Sequence, residues 1–186
     1  MPPELARRRI LGAVIAGGKG RRFGSDKALA MLEHRHLIDH VLAGLGAQCD
    51  ALVICGRHLE GIRCLEDLPQ PQMGPLGGLA AALHHARRHG FDAVLTSACD
   101  TPYVPVDLAA RLRGAGSAIM AGQPLFGFWP SRLADDLLDF MQKPTKHSMR
   151  AWAAWVEARV VDFGYDVPNI NRPEDLDRLQ HARAAA

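Results

Sequence analysis

The segment Ile15-Ala16-Gly17-Gly18-Lys19-Gly20-Arg21-Arg22-Phe23-Gly24-Ser25-Asp26-Lys27 constrains this chain more than any other. It follows the apolar run Leu11 to Ile15, which reads as a buried strand. Closely spaced glycines let backbone N–H groups approach a polyanion with no Cβ in the way. Arg21, Arg22 and Lys27 add counter-charge, and a guanidinium can bind two phosphate oxygens at once. Bare amides and three cations after a first strand make a triphosphate cradle. Taken alone, the same residues also describe a mobile Gly-rich turn with solvated charges.

Counting excludes two other phosphate motifs. A dinucleotide fingerprint, G-x-G-x-x-G, would use Gly18 and Gly20 but meets Phe23 in its third place, and Gly24 falls one residue late. A P-loop built on Gly18-Lys19 would need glycine at Ala13 and a hydroxyl residue at Gly20, so both ends fail.

Composition narrows the class. A length of 186 residues allows one domain with one sizeable core. Hydrophobic content of 48% with 23% charged residues is ordinary for a globular protein. A formal net charge of +2 gives no basis for a nucleic-acid partner. Residues 1–9, with the run Arg7-Arg8-Arg9, read as a flexible N-terminal tail, and 10–186 as the domain. Cys49, Cys55, Cys64 and Cys99 form no C-x-x-C pair and read as free thiols in a reducing compartment. No apolar run approaches the ~20 residues of a membrane span, and the run after Arg9 is cut short by glycines and charges. A cytoplasmic protein is expected, with neither membrane nor nucleic acid as partner.

Strand and helix patterns alternate along the chain. Strands are expected at Leu11–Ala16, Ala51–Cys55, Ile62–Leu65, Ala93–Ala98, Ser117–Ala121, Leu125–Trp129 and Val160–Phe163. Helices are expected at His36–Ala47, Leu76–His89, Val106–Leu112, Leu133–Gln142 and His147–Ala158, with a last one starting at Pro173. This alternation predicts a single-domain, Rossmann-like α/β fold with a mainly parallel sheet and helices on both faces. Ligands of such sheets sit beyond the C-terminal strand ends. The Gly-rich loop and Asp100 both follow expected buried strands, so both belong at that edge.

Several residues there suit phosphate chemistry. Asp100 ends an apolar strand and reads either as a ligand for Mg²⁺, which takes one or two carboxylates plus phosphate oxygens, or as a turn-opening residue. Asn169 and Asn171 flank Ile170, so in an extended segment both point to one side, toward a metal or phosphate. Asn171 reads alternatively as the cap of the helix starting at Pro173. Asp67 reads otherwise as a strand-end turn residue. His84 and His85 are consecutive, so they diverge on a helix and make a poor metal pair. Trp152 and Trp155 share a helical face, suited to core or groove packing, and Asp135-Asp136 reads as a solvated face.

The first loop resembles the signature of nucleotidyltransferases: aliphatic-Ala-Gly-Gly, a basic stretch with Arg, an aromatic residue, Gly, then Asp-Lys. Gly74-Pro75-Leu76-Gly77-Gly78, Cys99-Asp100-Thr101-Pro102 and Asn169-Ile170-Asn171-Arg172-Pro173-Glu174-Asp175-Leu176 extend the likeness to the molybdenum cofactor guanylyltransferases. The resemblance implies transfer of GMP from GTP to the terminal phosphate of molybdenum-molybdopterin. The products would be the molybdopterin guanine dinucleotide cofactor and pyrophosphate. It implies Lys27, Arg22 and Asp100 as catalytic residues. It implies nucleotide binding by Ile15, Ala16, Gly17, Gly18, Arg22, Lys27, Asp67, Gly74, Gly78 and Asp100, and Mg²⁺ held by Asp100 and Asn171. Transient contact with the molybdenum-insertion enzyme and with molybdoenzyme chaperones is implied too. The chain departs from the pattern at Cys55-Gly56-Arg57-His58, where the family carries asparagine, and at Gly122-Gln123, where the loop before Pro124-Leu125-Phe126-Gly127-Phe128-Trp129-Pro130 is short. Alternatives are a cytidylyltransferase using CTP on the same acceptor, another small nucleotidyltransferase acting on a phosphorylated acceptor, and a non-catalytic nucleotide or cofactor carrier.

Overall fold

The computed structural model describes residues 8–17, 27–170, 172 and 174–178, with residue 27 described in its backbone alone. In chain order the elements are β1 (Ile10–Ile15), β2 (Met31–Leu32), β3 (Arg35–His36), α1 (Leu37–Gly46), β4 (Ala51–Cys55), β5 (Arg63–Leu65) and α2 (Gly74–Arg88). There follow β6 (Ala93–Ala98), α3 (Leu108–Leu112), β7 (Ala118–Met120), β8 (Gly127–Pro130), α4 (Ala134–Met141), α5 (Met149–Trp155) and β9 (Arg159–Val161). Among the described residues no helix is long and apolar enough to cross a membrane.

One sheet runs β5-β4-β1-β6-β8-β7-β9. β1 pairs in parallel with β4 and β6, β4 with β5, and β7 with β9. β8 runs antiparallel to both its neighbours, so it is the single reversed strand of this sheet among the described residues. The mainly parallel sheet expected from the alternating pattern is therefore present, with one strand inverted. A tie between side chains fixes that inversion. Trp129 Nε1 donates to Thr96 Oγ1 at 3.1 Å, and Thr96 Oγ1 donates to the Gly127 carbonyl at 3.3 Å. The indole lies flat over Gly127, where a Cβ would come within 2.5 Å of Trp129 Nε1. Only glycine lets the ring fold back over its own strand.

Alternation along β1 divides the core in two. Leu11, Ala13 and Ile15 face a layer holding Leu79 and Leu83 of α2, Phe140 of α4 and Trp152 of α5. Ile10 and Val14 face Val41 and Leu45 of α1 and Leu108 and Leu112 of α3. Helices thus cover both faces. Each fully buried leucine in these layers contributes about 1.5–3 kcal/mol. A third cluster joins Leu32 and Leu37 to Ile170, which is fully buried.

Element ends follow local chemistry. α5 starts at Met149, not His147, because the Ser148 hydroxyl accepts from the Ala151 N–H at 3.2 Å and caps the helix. α3 starts at Leu108, leaving Val106 92% exposed ahead of it. The β2–β3 hairpin turns through Glu33 and His34, both at positive φ, without the Asn-Gly signature that announces such turns. Residues 174–178 are helical, in line with the helix expected from Pro173, and residues 173 and 179–186 lie outside the described residues. Residues 1–7 of the expected tail lie outside them as well. Arg9 is held, its N–H on Asp92 Oδ2 at 2.8 Å and its guanidinium 4.4 Å over the Phe91 ring.

Candidate active site

The parallel strands end together, and each continues its ladder by one residue before turning away. Ala16 N–H donates to the Cys55 carbonyl at 2.9 Å, Gly56 N–H to the Leu65 carbonyl at 2.9 Å, and Cys99 N–H to the Ile15 carbonyl at 3.3 Å. The segments after β1, β4, β5 and β6 are thereby gathered at one edge. The side chains of Ile15 and Ala16 are buried. Gly17 is the first residue of the Gly-rich segment at the surface of this edge, between Gly56 on the β4 side and Cys99-Asp100 on the β6 side.

On the β4 side the backbone is packed so tightly that side chains are excluded. Gly56 has φ +77, and a Cβ there would lie 2.5 Å from Gly17 Cα. A Cβ on Gly17 would lie 3.7 Å from Asp67 Oδ2. Asp67 follows β5 and is 5% exposed. Burial pushes its carboxyl above the usual carboxylate range, and the Met73 N–H it accepts from offsets part of that rise. Met73 directly precedes α2, whose first residue, Gly74, has φ +71 and whose second is Pro75. The Leu68 N–H donates to the Gly77 carbonyl at 3.1 Å, tying the Asp67 loop to the first turn of α2. Gly77 is needed for this approach: a Cβ there would meet Asp67 Cβ at 2.8 Å. Gly78 faces the sheet, where a Cβ would stand 3.0 Å from Cys55 Cβ and 3.2 Å from Ile15 Cδ1. The glycines of this second Gly-rich segment thus bring α2 down on β1, β4 and Asp67.

These elements enclose a cleft of about 420 Å³ lined by Gly17, Gly56, Arg57, His58, Asp67 and Gln72, among others. Its walls combine bare backbone, a buried carboxylate and a guanidinium, a mixture suited to a polar heterocycle and a sugar. Arg57 and His58 were not singled out from the sequence. They stand in the stretch where the family pattern carries asparagine, and that departure was the only signal of them.

On the β6 side Asp100 lies two residues past the end of the strand, after Cys99, and is half-buried. Its neighbour Thr101 is buried, with its hydroxyl on the Ala98 carbonyl at 3.0 Å. Ile170 N–H donates to the Asp100 carbonyl at 3.0 Å. With the amide oriented to satisfy its surroundings, Asn169 donates from its side-chain nitrogen to Asp100 Oδ1 at 2.9 Å and to Asp100 O at 3.2 Å. Asn169-Ile170 and the Cys99-Asp100-Thr101-Pro102 segment, far apart in sequence, thus meet at Asp100.

The structure therefore brings Ile15, Ala16, Gly17, Asp67, Gly74, Gly78 and Asp100 to one sheet edge and to the helix facing it. Gly18, Arg22, Asn171 and the Lys27 side chain lie outside the described residues; the Lys27 backbone opens a short 3₁₀ turn, Lys27–Leu29. Among the described residues no three His, Cys, Asp or Glu side chains gather as a metal cage. Asp100, a single anchored carboxylate at a strand end, fits Mg²⁺, which needs few protein ligands when phosphates supply the rest.

The remaining candidates have structural surroundings. All four cysteines are free. Burial pushes the Cys55 thiol far up and the Cys49 thiol up to about 12, so neither is a thiolate at neutral pH. His84 bonds the Ala80 carbonyl through Nδ1 and stands 3.4 Å from Asp135, which also takes a bidentate pair from Arg87. Asp135 is thus paired, not merely solvated. Trp152 is fully buried, whereas Trp155 is 53% exposed with Lys143 Nζ 5.1 Å above its ring.

A family model described as the MobA-like NTP transferase domain matches residues 12–160. The molybdenum cofactor guanylyltransferase of Acidiphilium cryptum is 36% identical over 188 residues, covering 94% of this chain and 95% of its own. That of Cereibacter sphaeroides is 37% identical over 199 residues, covering 92% of this chain and 96% of its own. Among solved structures, molybdopterin-guanine dinucleotide biosynthesis protein A from Archaeoglobus fulgidus superposes with TM-score 0.72 at 24% identity, covering 95% of this chain and 100% of that one. The 2-C-methyl-D-erythritol 4-phosphate cytidylyltransferase of Thermus thermophilus superposes with TM-score 0.67 at 17% identity, covering 95% and 98%. At those identities the superpositions establish the fold alone, and the fold is shared by enzymes named for different bases. The match over residues 12–160 and the relatives above 30% identity carry the conclusion that this chain belongs to the MobA-like NTP transferase family of nucleotidyltransferases.

Proposed function

We propose that this chain transfers GMP from GTP to the terminal phosphate of molybdenum-molybdopterin, forming molybdopterin guanine dinucleotide cofactor and releasing pyrophosphate. The observation that carries the reading is the junction at one sheet edge of a nucleoside-sized cleft, at Gly17, Gly56 and Asp67, with an anchored carboxylate, Asp100. The names of the relatives, guanylyltransferases matched over nine-tenths of both chains, select the base and the acceptor.

In the reaction, an oxygen of the acceptor phosphate forms a bond to the α-phosphorus as the bond to the bridging α–β oxygen breaks. Pyrophosphate leaves with that electron pair. No covalent intermediate on the protein is required. Catalysis is then positioning and charge stabilisation. We assign Lys27 and Arg22 to the triphosphate, as their place in the Gly-rich segment suggests. Gly17 offers the backbone approach. Asp67 and the cleft beside it take the nucleoside. Asp100, with Asn171, would hold Mg²⁺, which when bound neutralises phosphate charge. The cytidylyl alternative shares the fold but not the names of the relatives. The test is incubation of the purified protein with GTP, Mg²⁺ and molybdenum-loaded molybdopterin. Stoichiometric pyrophosphate and a dinucleotide of the expected mass support the reading. Bound GTP with no pyrophosphate would leave a carrier.

A further inference from the structure

We propose that Asn169 is a positioning residue that acts through Asp100: its side-chain amide holds the Asp100 carboxylate in one orientation and so readies it for the divalent cation of the bound nucleotide. The proposal rests on the reading of Asp100 as the carboxylate that meets the cation.

An aspartate just beyond a strand ordinarily swings about two side-chain torsions, and ordering it costs conformational entropy. Here one nitrogen spans two oxygens of the same residue, Oδ1 at 2.9 Å and the main-chain O at 3.2 Å. A primary amide nitrogen carries two hydrogens, one for each oxygen. Bridging a side-chain oxygen to its own backbone oxygen leaves the carboxylate a single orientation. The donor is also neutral. Lysine or arginine in its place would bind the carboxylate more strongly, but would bring a cation into competition with the metal. Serine carries a single hydroxyl hydrogen and could donate to only one of the two oxygens.

Asn169 is itself held in place. Ile170 is fully buried in the cluster with Leu32 and Leu37. The Ile170 N–H donates to the same Asp100 carbonyl at 3.0 Å. The segment is therefore nailed to the end of β6 on both sides of the peptide that joins Asn169 to Ile170. The division of labour is physical: Ile170 supplies the anchor, Asn169 the orientation and Asp100 the charge. Asn169 faces Asp100 with its nitrogen, which has no lone pair to offer a metal.

The experiment compares affinity for the Mg²⁺ complex of a GTP analogue, its α–β bridge a methylene group, with affinity for the same analogue in chelator. Calorimetry on wild type, Asn169→Ala, Asn169→Asp and Asp100→Asn supplies the ratio, and thermal melting checks the fold. We expect Asn169→Ala to lower the ratio about tenfold, as loss of one charge-assisted bond would, while the metal-free affinity and the melting temperature stay put. Asn169→Asp keeps an oxygen that could bind metal but loses the donor, so it should do no better than alanine. A wild-type ratio in Asn169→Ala overturns the proposal. So does full recovery in Asn169→Asp, which would make Asn169 a metal ligand. A wild-type ratio in Asp100→Asn would instead bring down the reading of Asp100 on which the proposal stands.

Discussion

Gly56 and Gly17 meet so closely that a Cβ on Gly56 would lie 2.5 Å from Gly17 Cα and 2.9 Å from its nitrogen. The contact presses the turn after β4 against the start of the phosphate segment. Those two nearest atoms are backbone, so no side-chain rotation relieves the contact, and Asp67 Oδ1 stands next at 3.3 Å. Gly56 also has φ +77, which other L residues adopt with strain. Gly56→Ala should therefore destabilise the fold by roughly 1–3 kcal/mol and weaken GTP binding with it. Urea unfolding and a nucleotide titration check both arms; a variant with wild-type stability and affinity would contradict the packing described.

Asp67 makes a prediction about pH. Burial raises its pKa in the folded protein above the value in the unfolded chain. The folded state then holds the proton more tightly than the unfolded state. Stability is greatest below the ordinary carboxylate pKa of about 4 and falls as pH rises through the raised folded value. Above that value a constant penalty remains. Asp67→Asn carries no such penalty and can still accept from the Met73 N–H. It should be more stable than wild type at neutral pH, with the advantage shrinking as pH falls toward about 4. GTP affinity should nevertheless drop, roughly tenfold, because a buried acceptor facing the cleft is altered. Denaturation series at several pH values check the first part; a stability difference independent of pH would contradict it.

Lys27→Ala should weaken GTP binding by ten- to a hundred-fold, the loss of one charge-assisted contact of about 1.5–3 kcal/mol, without unfolding the protein. Calorimetric titration of the folded variant decides, and unchanged affinity removes Lys27 from the triphosphate.

Asp100→Asn should keep nucleotide binding measurable while turnover falls by on the order of 10²-fold, the usual cost of removing one preorganised stabilising group. Single-turnover rates at limiting and at excess Mg²⁺ check this. Normal turnover at limiting Mg²⁺ would make Asp100 a turn residue.

The strands that flank the site were legible in the sequence because each is a short continuous apolar run. Ala51–Cys55 and Ala93–Ala98 match residue for residue. The helix over Leu76–His89 was legible as an element but not in its start: it begins two residues earlier, at Gly74, because proline fits a first helical turn. The direction of β8 was not legible. Strand propensity says nothing of polarity, and the Trp129–Thr96 tie that sets it spans 33 positions. Spacing put Trp152 and Trp155 on one helical face, yet the neighbouring layer is deep enough to bury only the first. At the site, the glycines and Asp100 stood out by type. Asn171 was favoured over Asn169 from the sequence, but the contact to Asp100 within the described residues comes from Asn169, which register in three dimensions decides. Asp135 looked like a solvated helix face because Arg87, its partner, sits 48 positions away on α2.

The central claim is the transfer of a guanylyl group. Guanine presents acceptors on one edge and donors on another, so a cleft built for it leaves buried polar groups unpaired around cytosine. The most direct measurement is competition between GTP and CTP for molybdenum-loaded molybdopterin, with the dinucleotide products separated by mass. GTP should win by at least about tenfold in kcat/KM, a discrimination of roughly 1.4 kcal/mol. A predominance of the cytosine dinucleotide would contradict it.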